Sequence, residues 1–229
     1  MTSISTIIGD CDLLRFLYLA ESTGYLPELA HYIEETIERY NQEFGSWQRE
    51  LEEKSPYADA TGDLREEWDA WMDLDGQFLT SEFPRRLRYD FVITAYAVWF
   101  RKLDAFCSLA AEKLKLEYVR KLDHELENAQ SFLKDIVKLK PLADEHWKEF
   151  KLVRKLRNKL VHNDGFIPND IRRSLQERES YWATVATKRG VEAPFLSYGS
   201  DGRVTVHPSY CQVILSHMDS FFYAIYKPD

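Results

Sequence analysis

The chain has 229 residues, 45% hydrophobic and 30% charged, with a net charge of -8; that length and apolar content supply one sizeable core and exclude a wholly disordered chain. The longest apolar run, Phe91 to Phe100, is too short for a bilayer, and the opening residues lack a charged segment followed by an apolar one, so a soluble, cytoplasmic protein without export signal or membrane contact is expected. Charge is segregated: residues 1–84 carry 19 acids against 5 bases, whereas residues 85–173 carry 13 against 20, a bias that suits a phosphate-bearing partner or the pairing of acidic with basic helices.

In chain order, Pro27 to Lys54 places Leu29, Ile33, Ile37, Tyr40 and Phe44 at helical spacing and predicts a long amphipathic helix with an acidic outer face. After a turn-rich stretch, Asp63 to Asp73 predicts a shorter helix through Leu64, Trp68, Trp71 and Met72, broken by Asp73-Leu74-Asp75-Gly76. Those acids do not make a calcium loop, because Gly76 does not fall at the sixth position of an alternating oxygen ladder. Pro84 suits a helix start, and the run from Arg85 to Lys115, apolar almost all round over Phe91 to Phe100, predicts a buried central helix.

Tyr118 to Val137, through Leu122, Leu126, Phe132 and Ile136, predicts a further helix ended by Pro141. Ala143 to His162 follows with Trp147, Phe150, Val153, Leu156 and Leu160 on one stripe, then Asn169 to Glu179 as a short helix. Phe195 to Tyr198 and Arg203 to Val206, flanking Gly199-Ser-Asp-Gly202, carry a hairpin signature. Ser209 to Tyr226 predicts a last helix through Val213, Ile214, Met218, Phe221, Phe222 and Ile225. The expected fold is all-α, an antiparallel helical bundle with a small β-hairpin near residues 195–206. Residues 1–83 form an acidic helical region packed on a domain spanning residues 84–229.

Chemistry concentrates at the end of the fifth predicted element, in Arg154-Lys-Leu-Arg157-Asn158-Lys-Leu-Val-His162-Asn-Asp-Gly165. Arg154, Asn158 and His162 share a helical face, whereas Arg157 and His162 stand about 140° apart on an ideal helix. They converge only if the last turn loosens toward Gly165, a natural left-handed residue just past the helix end, or if a second copy faces the first. Histidine titrates near neutrality, which suits general acid–base work. The plain alternative is a polar, well-terminated helix end.

His31, His124, His146, His207 and His217 lack ligand-spaced partners, and Cys11, Cys107 and Cys211 form neither a CxxC pair nor a disulfide framework, so no metal site is expected. Tyr181, Trp182 and Tyr198 are aromatics that either pack or stack on an unpaired base.

Arg157-Asn158-x-x-x-His162, at the end of an amphipathic helix in an all-helical chain with a buried helix upstream at Tyr89 to Ala110, resembles the R-N-x-x-x-H form of the motif that marks the HEPN superfamily. The likeness covers residues 84–226 and implies a homodimeric endoribonuclease, needing neither metal nor cofactor, whose two motifs line one cleft. His162 would be the acid/base, Arg157 would stabilise the phosphorane and Asn158 would orient the imidazole or a phosphate. Arg154, Lys155 and Lys159 would bind RNA, and Asp104 would anchor the motif from the buried helix. Products would carry 2′,3′-cyclic phosphate and 5′-hydroxyl ends. A defence or toxin role, with tRNA or mRNA as substrate and a protein antitoxin or regulator as partner, fits that resemblance. The same fold also occurs as a non-catalytic module that binds nucleotide, nucleic acid or protein. Net acidity of the whole chain opposes indiscriminate RNA binding and favours a chosen substrate.

Overall fold

Residues 25–54, 61–120, 125–137, 144–187, 190 and 192–226 are described by the computed structural model; Cys11, Leu122, His124 and Pro141 lie outside them. The first described helix, α1 (Leu26–Lys54), turns Leu26, Ala30, Ile33 and Ile37 into the main core, while Phe44 further along is buried outside it. α2 (Asp63–Gln77) does not end at Asp73-Leu74-Asp75-Gly76 as the sequence predicts. It runs on through a π-helical turn, Phe78–Glu82, into α3 (Phe83–Leu114). Two local causes account for the difference. A Cβ at Gly76 would lie 3.3 Å from the Phe44 ring, so glycine there permits close packing of α2 on α1 rather than a break. Pro84 has no N–H to donate, and the chain absorbs the mismatch by widening one turn, with the Phe83 N–H reaching back to the Phe78 carbonyl.

α3 is the centre of the fold. Phe91, Val92, Ala95, Trp99, Leu103, Phe106, Cys107 and Ala110 are essentially inaccessible, which is the physical meaning of a run apolar on every side. Lys115 takes a left-handed conformation and ends the helix. The predicted helix over Tyr118 to Val137 begins later than expected, as α4 (Glu125–Ser131) continued by a π-helical turn, Phe132–Ile136, with Leu126, Ala129, Phe132 and Leu133 buried. Residues 116–120 are non-helical, and there the Asn128 amide donates to the Val119 carbonyl.

α5 (Asp144–His162) buries every residue of its expected stripe, Trp147, Phe150, Val153, Leu156 and Leu160. Trp99 of α3 stacks on Phe150 at 4.1 Å between centroids, and Phe221 meets both edge-on, an arrangement that adds to area burial. The predicted short helix after Pro168 is present as α6 (Asn169–Gln176), and a helix not expected from the sequence, α7 (Glu179–Thr187), follows a turn at Glu177 and Arg178. β1 (Leu196–Tyr198) and β2 (Val204–Val206) form the expected antiparallel hairpin, with Leu196 opposite Val206 and Tyr198 opposite Val204. The last helix, α8 (Pro208–Tyr226), lies against α1, α3, α5 and α7. Among the described residues the architecture is mostly helical with one small sheet. Among the described residues no helix is long and apolar enough to cross a membrane, and Cys107 and Cys211 are buried free thiols.

Candidate functional site

The end of α5 is built differently from the simple stop that Asn163-Asp164-Gly165 suggests. The Gly165 N–H bonds to the Lys159 carbonyl at 3.1 Å, a six-residue closure that places Asp164, with φ +50°, in the left-handed position past the helix end. Asp164, rather than Gly165, is therefore the helix-ending residue, and its carboxylate accepts from Arg86 of α3 and from Arg203 of the hairpin, each at 3.0 Å. Gly165, with φ +81°, comes next for its own reason: any Cβ there would collide with the Tyr89 hydroxyl and come within 2.8 Å of ring carbons. The Tyr89 hydroxyl donates to the Val204 carbonyl, while the Val204 N–H bonds back to Gly165 at 3.0 Å. α3, the end of α5 and β2 thus lock together directly below the motif. Gly165→Ala should lower stability by at least about 2 kcal/mol through left-handed strain and overpacking, read as a drop in the denaturant midpoint with an unchanged slope.

Within one chain α5 is regular to His162, so Arg157 and His162 remain about 140° apart around the axis. Arg157 faces a cleft of about 780 Å³ between α3, the segment before α4, and α5; Tyr96, Phe100, Asp104, Arg154, Lys155 and Asn158 also line it. The cleft walls hold five cations, Arg101, Arg120, Arg154, Lys155 and Arg157, against two carboxylates, Asp104 and Glu125. His162 and Lys159 are not among the lining residues, and His162 is exposed at the helix end. The structure therefore gathers Arg154, Lys155, Arg157, Asn158 and Asp104, and leaves His162 outside that group.

The cations in the cleft are not equivalent. Arg154 is clamped by Glu127 through two hydrogen bonds of 2.8 and 2.5 Å, a fork that holds the Glu127 carboxyl below its ordinary range. Arg120 is engaged by Glu125 at 2.7 Å and stands 3.6 Å from Asp104. Arg157 has no carboxylate partner among the described residues: it donates to the Asn158 side-chain oxygen at 3.0 Å and lies 6.0 Å from the centroid of the Tyr96 ring. Asn158 accordingly orients the guanidinium. Asp104 accepts from the Tyr118 hydroxyl at 3.0 Å, and Arg120 is its other described partner. Burial raises the Tyr96 hydroxyl to about 12, so it stays protonated at neutral pH. A cleft with a guanidinium that has no carboxylate partner among the described residues, a nearby lysine and a tyrosine wall can take the phosphate of a polyanion. Among the described residues no group of three or more His, Cys, Asp or Glu side chains gathers where it could hold a metal ion.

A second polar cluster, not anticipated from the sequence, lies in the core behind the motif. Glu149 of α5 is 1% exposed; the Trp182 indole N–H donates to it at 2.8 Å and Arg178 at 3.1 Å. Arg178 also donates to Glu145 at 2.5 Å and covers Tyr181 at 4.0 Å. Burial pushes the Glu149 carboxyl up, opposed by Trp182 and Arg178. Of the aromatics considered for base stacking, Trp182 is fully buried in this cluster, which closes its faces to a base, whereas Tyr181 stacks on His217 and Tyr198 lies under Arg172 at 4.3 Å.

His217 is buried and burial, then Arg178 and His146, depress it to about 3. Its depressed value means that the neutral ring's contribution is complete above about pH 6.5 and is lost as pH falls toward 3, because only the unfolded chain binds that proton in the interval. Each pH unit across this window costs up to about 1.4 kcal/mol. His217→Gln should flatten the acid side of a Tm-against-pH profile between those limits.

The fold and site together define an all-α protein with a cation-lined cleft at the flank of its motif helix. Comparison with family models, curated proteins and solved structures finds no match for this chain.

Proposed function

We propose that the chain is a HEPN-like, metal-independent endoribonuclease of defence or toxin type that acts as a homodimer. The observation that carries this reading is Arg157, held by Asn158 in the cation-lined cleft and, among the described residues, without a carboxylate paired to it. A guanidinium so placed offers two parallel N–H groups to a phosphate and strengthens its hold as charge builds on the phosphorane. The exposed His162, with exposed Val161 beside it and exposed Phe166 just beyond the helix end, supports a seam at which a second copy brings its own imidazole to the shared site.

There, one imidazole takes the 2′-hydroxyl proton, the 2′-oxygen attacks the neighbouring phosphorus, and the bond to the 5′-oxygen breaks. The other imidazole, protonated, returns a proton to that departing oxygen. The products are a 2′,3′-cyclic phosphate and a 5′-hydroxyl. Lys155 holds a flanking phosphate; Arg154, already forked onto Glu127, holds the cleft wall. The placement of His162 outside the cleft of its own chain favours a second reading, a module that binds RNA or nucleotide without cutting.

The test is incubation of the purified full chain with a total tRNA and mRNA pool in EDTA, beside His162→Ala, with new ends mapped. Cuts bearing 2′,3′-cyclic phosphate from the native chain alone support the nuclease. Saturable RNA binding without cuts supports the module.

A further inference from the structure

Beyond α1's first half, the aromatic residues of α1 and α2 form a layer of their own. Phe44 and Met72 are buried yet lie outside the main core. Trp47 meets Trp71 at 5.9 Å and Trp68 meets Trp71 at 5.3 Å between centroids. Three of the protein's six tryptophans thus stand in a two-helix layer away from the core. At 100° per residue, Leu74, Trp71, Leu64, Trp68 and Met72 occupy an arc of about 160° on α2, and α1 covers only its inner part. On the uncovered part Trp71 is 43%, Leu74 65% and, one turn further on, Phe78 55% exposed.

An apolar groove of about 340 Å³ runs between the two helices, lined by Tyr40, Phe44, Trp47 and Leu79 together with the carboxylates Glu43 and Asp75. Neither carboxylate has an ion-pair partner among the described residues. α2 as a whole carries six acids, Asp63, Glu66, Glu67, Asp69, Asp73 and Asp75, against the single base Arg65. Burial of aromatics is what a helix layer of this kind gains from a third helix, and the acidic rim selects the sign of its flanks.

We infer that the α1–α2 face is a docking site for a basic amphipathic helix of a partner protein, which seats its apolar stripe over Trp47, Trp71, Leu74 and Phe78 and its lysines or arginines against Glu43 and Asp75. The inference is independent of the nuclease reading, since none of these residues lines the cation-lined cleft. A regulator bound here would leave that cleft open.

The experiment uses the full chain and a fluorescein-labelled synthetic helix of about 18 leucines and lysines, with leucines at i, i+3, i+4 and i+7. Anisotropy at physiological salt should show saturable binding that is at least about ten-fold weaker for a scrambled peptide of the same composition. It should weaken by a similar factor in the charge reversal Glu43→Lys/Asp75→Lys, and in Leu74→Asn/Phe78→Ser, with circular dichroism unchanged. Equal binding of patterned and scrambled peptides, or undiminished binding to both variants, overturns the proposal. So does a native chain that self-associates in light scattering and becomes monomeric in the Leu74→Asn/Phe78→Ser variant, because the occupant is then a second copy.

Discussion

Arg157→Ala and His162→Ala are each expected to lower RNA cleavage by about 10²–10⁴-fold, the range for loss of a positioned proton donor or acceptor or of a transition-state charge clamp. Both residues are on the outside of α5, so neither substitution opens the core. Among the described residues Arg157 makes no ion pair, and its one described hydrogen bond is to its neighbour Asn158. Tm should therefore move little while activity collapses, which separates the effect from unfolding. The two positions differ in a further respect. Arg157 lines the cleft of its own chain and His162 does not, so the nuclease reading draws at least one imidazole from a second copy. Mixing the two inactive variants after dissociation and reassociation should then restore a fraction of the activity, because a mixed dimer keeps one Arg157 facing one His162. Absence of recovery from a verified mixed dimer would mean either that cleavage needs both imidazoles or that Arg157 and His162 act from one chain. Asn158→Ala should cost less, since Arg157 keeps its charge and its position beside Tyr96 and loses only the carbonyl that orients it.

Where side-chain periodicity alone decides a helix, the sequence and the structure agree closely. The stripe Trp147, Phe150, Val153, Leu156 and Leu160 is buried throughout, and the hairpin around Gly199 to Gly202 pairs as the flanking residues suggest. Disagreement begins where a residue's role depends on a distant neighbour. Gly76 reads locally as a breaker, yet the Phe44 ring from α1 makes it a packing position inside a continuing helix. Asp164 reads as part of a stop signal, and only the arrival of Arg86 and Arg203 turns it into the tie between α3, α5 and the hairpin.

The cleft residues Arg154, Lys155, Arg157 and Asn158 were legible because they lie in one short run. Their inequality was not, because Glu127, which neutralises Arg154, belongs to another helix. Glu149 left a trace that the apolar stripe obscured. It stands four residues before Val153, seven before Leu156 and eleven before Leu160, on the buried face itself. A charged residue at such a position calls for buried partners, and those partners, Arg178 and Trp182, come from the α6–α7 region, for which the sequence predicts only one helix.

That cluster carries the second large expected effect: Glu149→Ala should destabilise the fold by about 3–5 kcal/mol, the cost of removing one member of a buried charge pair. The Trp182 indole N–H would lose its acceptor in a site with no solvent, and Arg178 would keep only Glu145. A domain of ordinary stability has about 5–15 kcal/mol in total, so the variant should unfold at a much lower urea concentration with a similar slope. Glu149→Gln separates charge from shape. Its amide oxygen can still accept from Trp182, leaving chiefly the charge-assisted bond to Arg178 to be lost, worth about 1.5–3 kcal/mol. Because burial raises the Glu149 carboxyl while Arg178 and Trp182 draw it down, the gap between the two variants measures how much of the pair's hold comes from hydrogen bonding and how much from charge. Glu149 is eight residues, or about 12 Å, before Arg157 on the same helix. It pins α5 to α7 and to the turn before α7 at the depth from which the cleft residues project. An RNA-cleavage defect in Glu149→Gln at temperatures well below its Tm would show that the pair also sets the angle at which α5 presents Arg157, whereas unchanged cleavage there would confine it to stability.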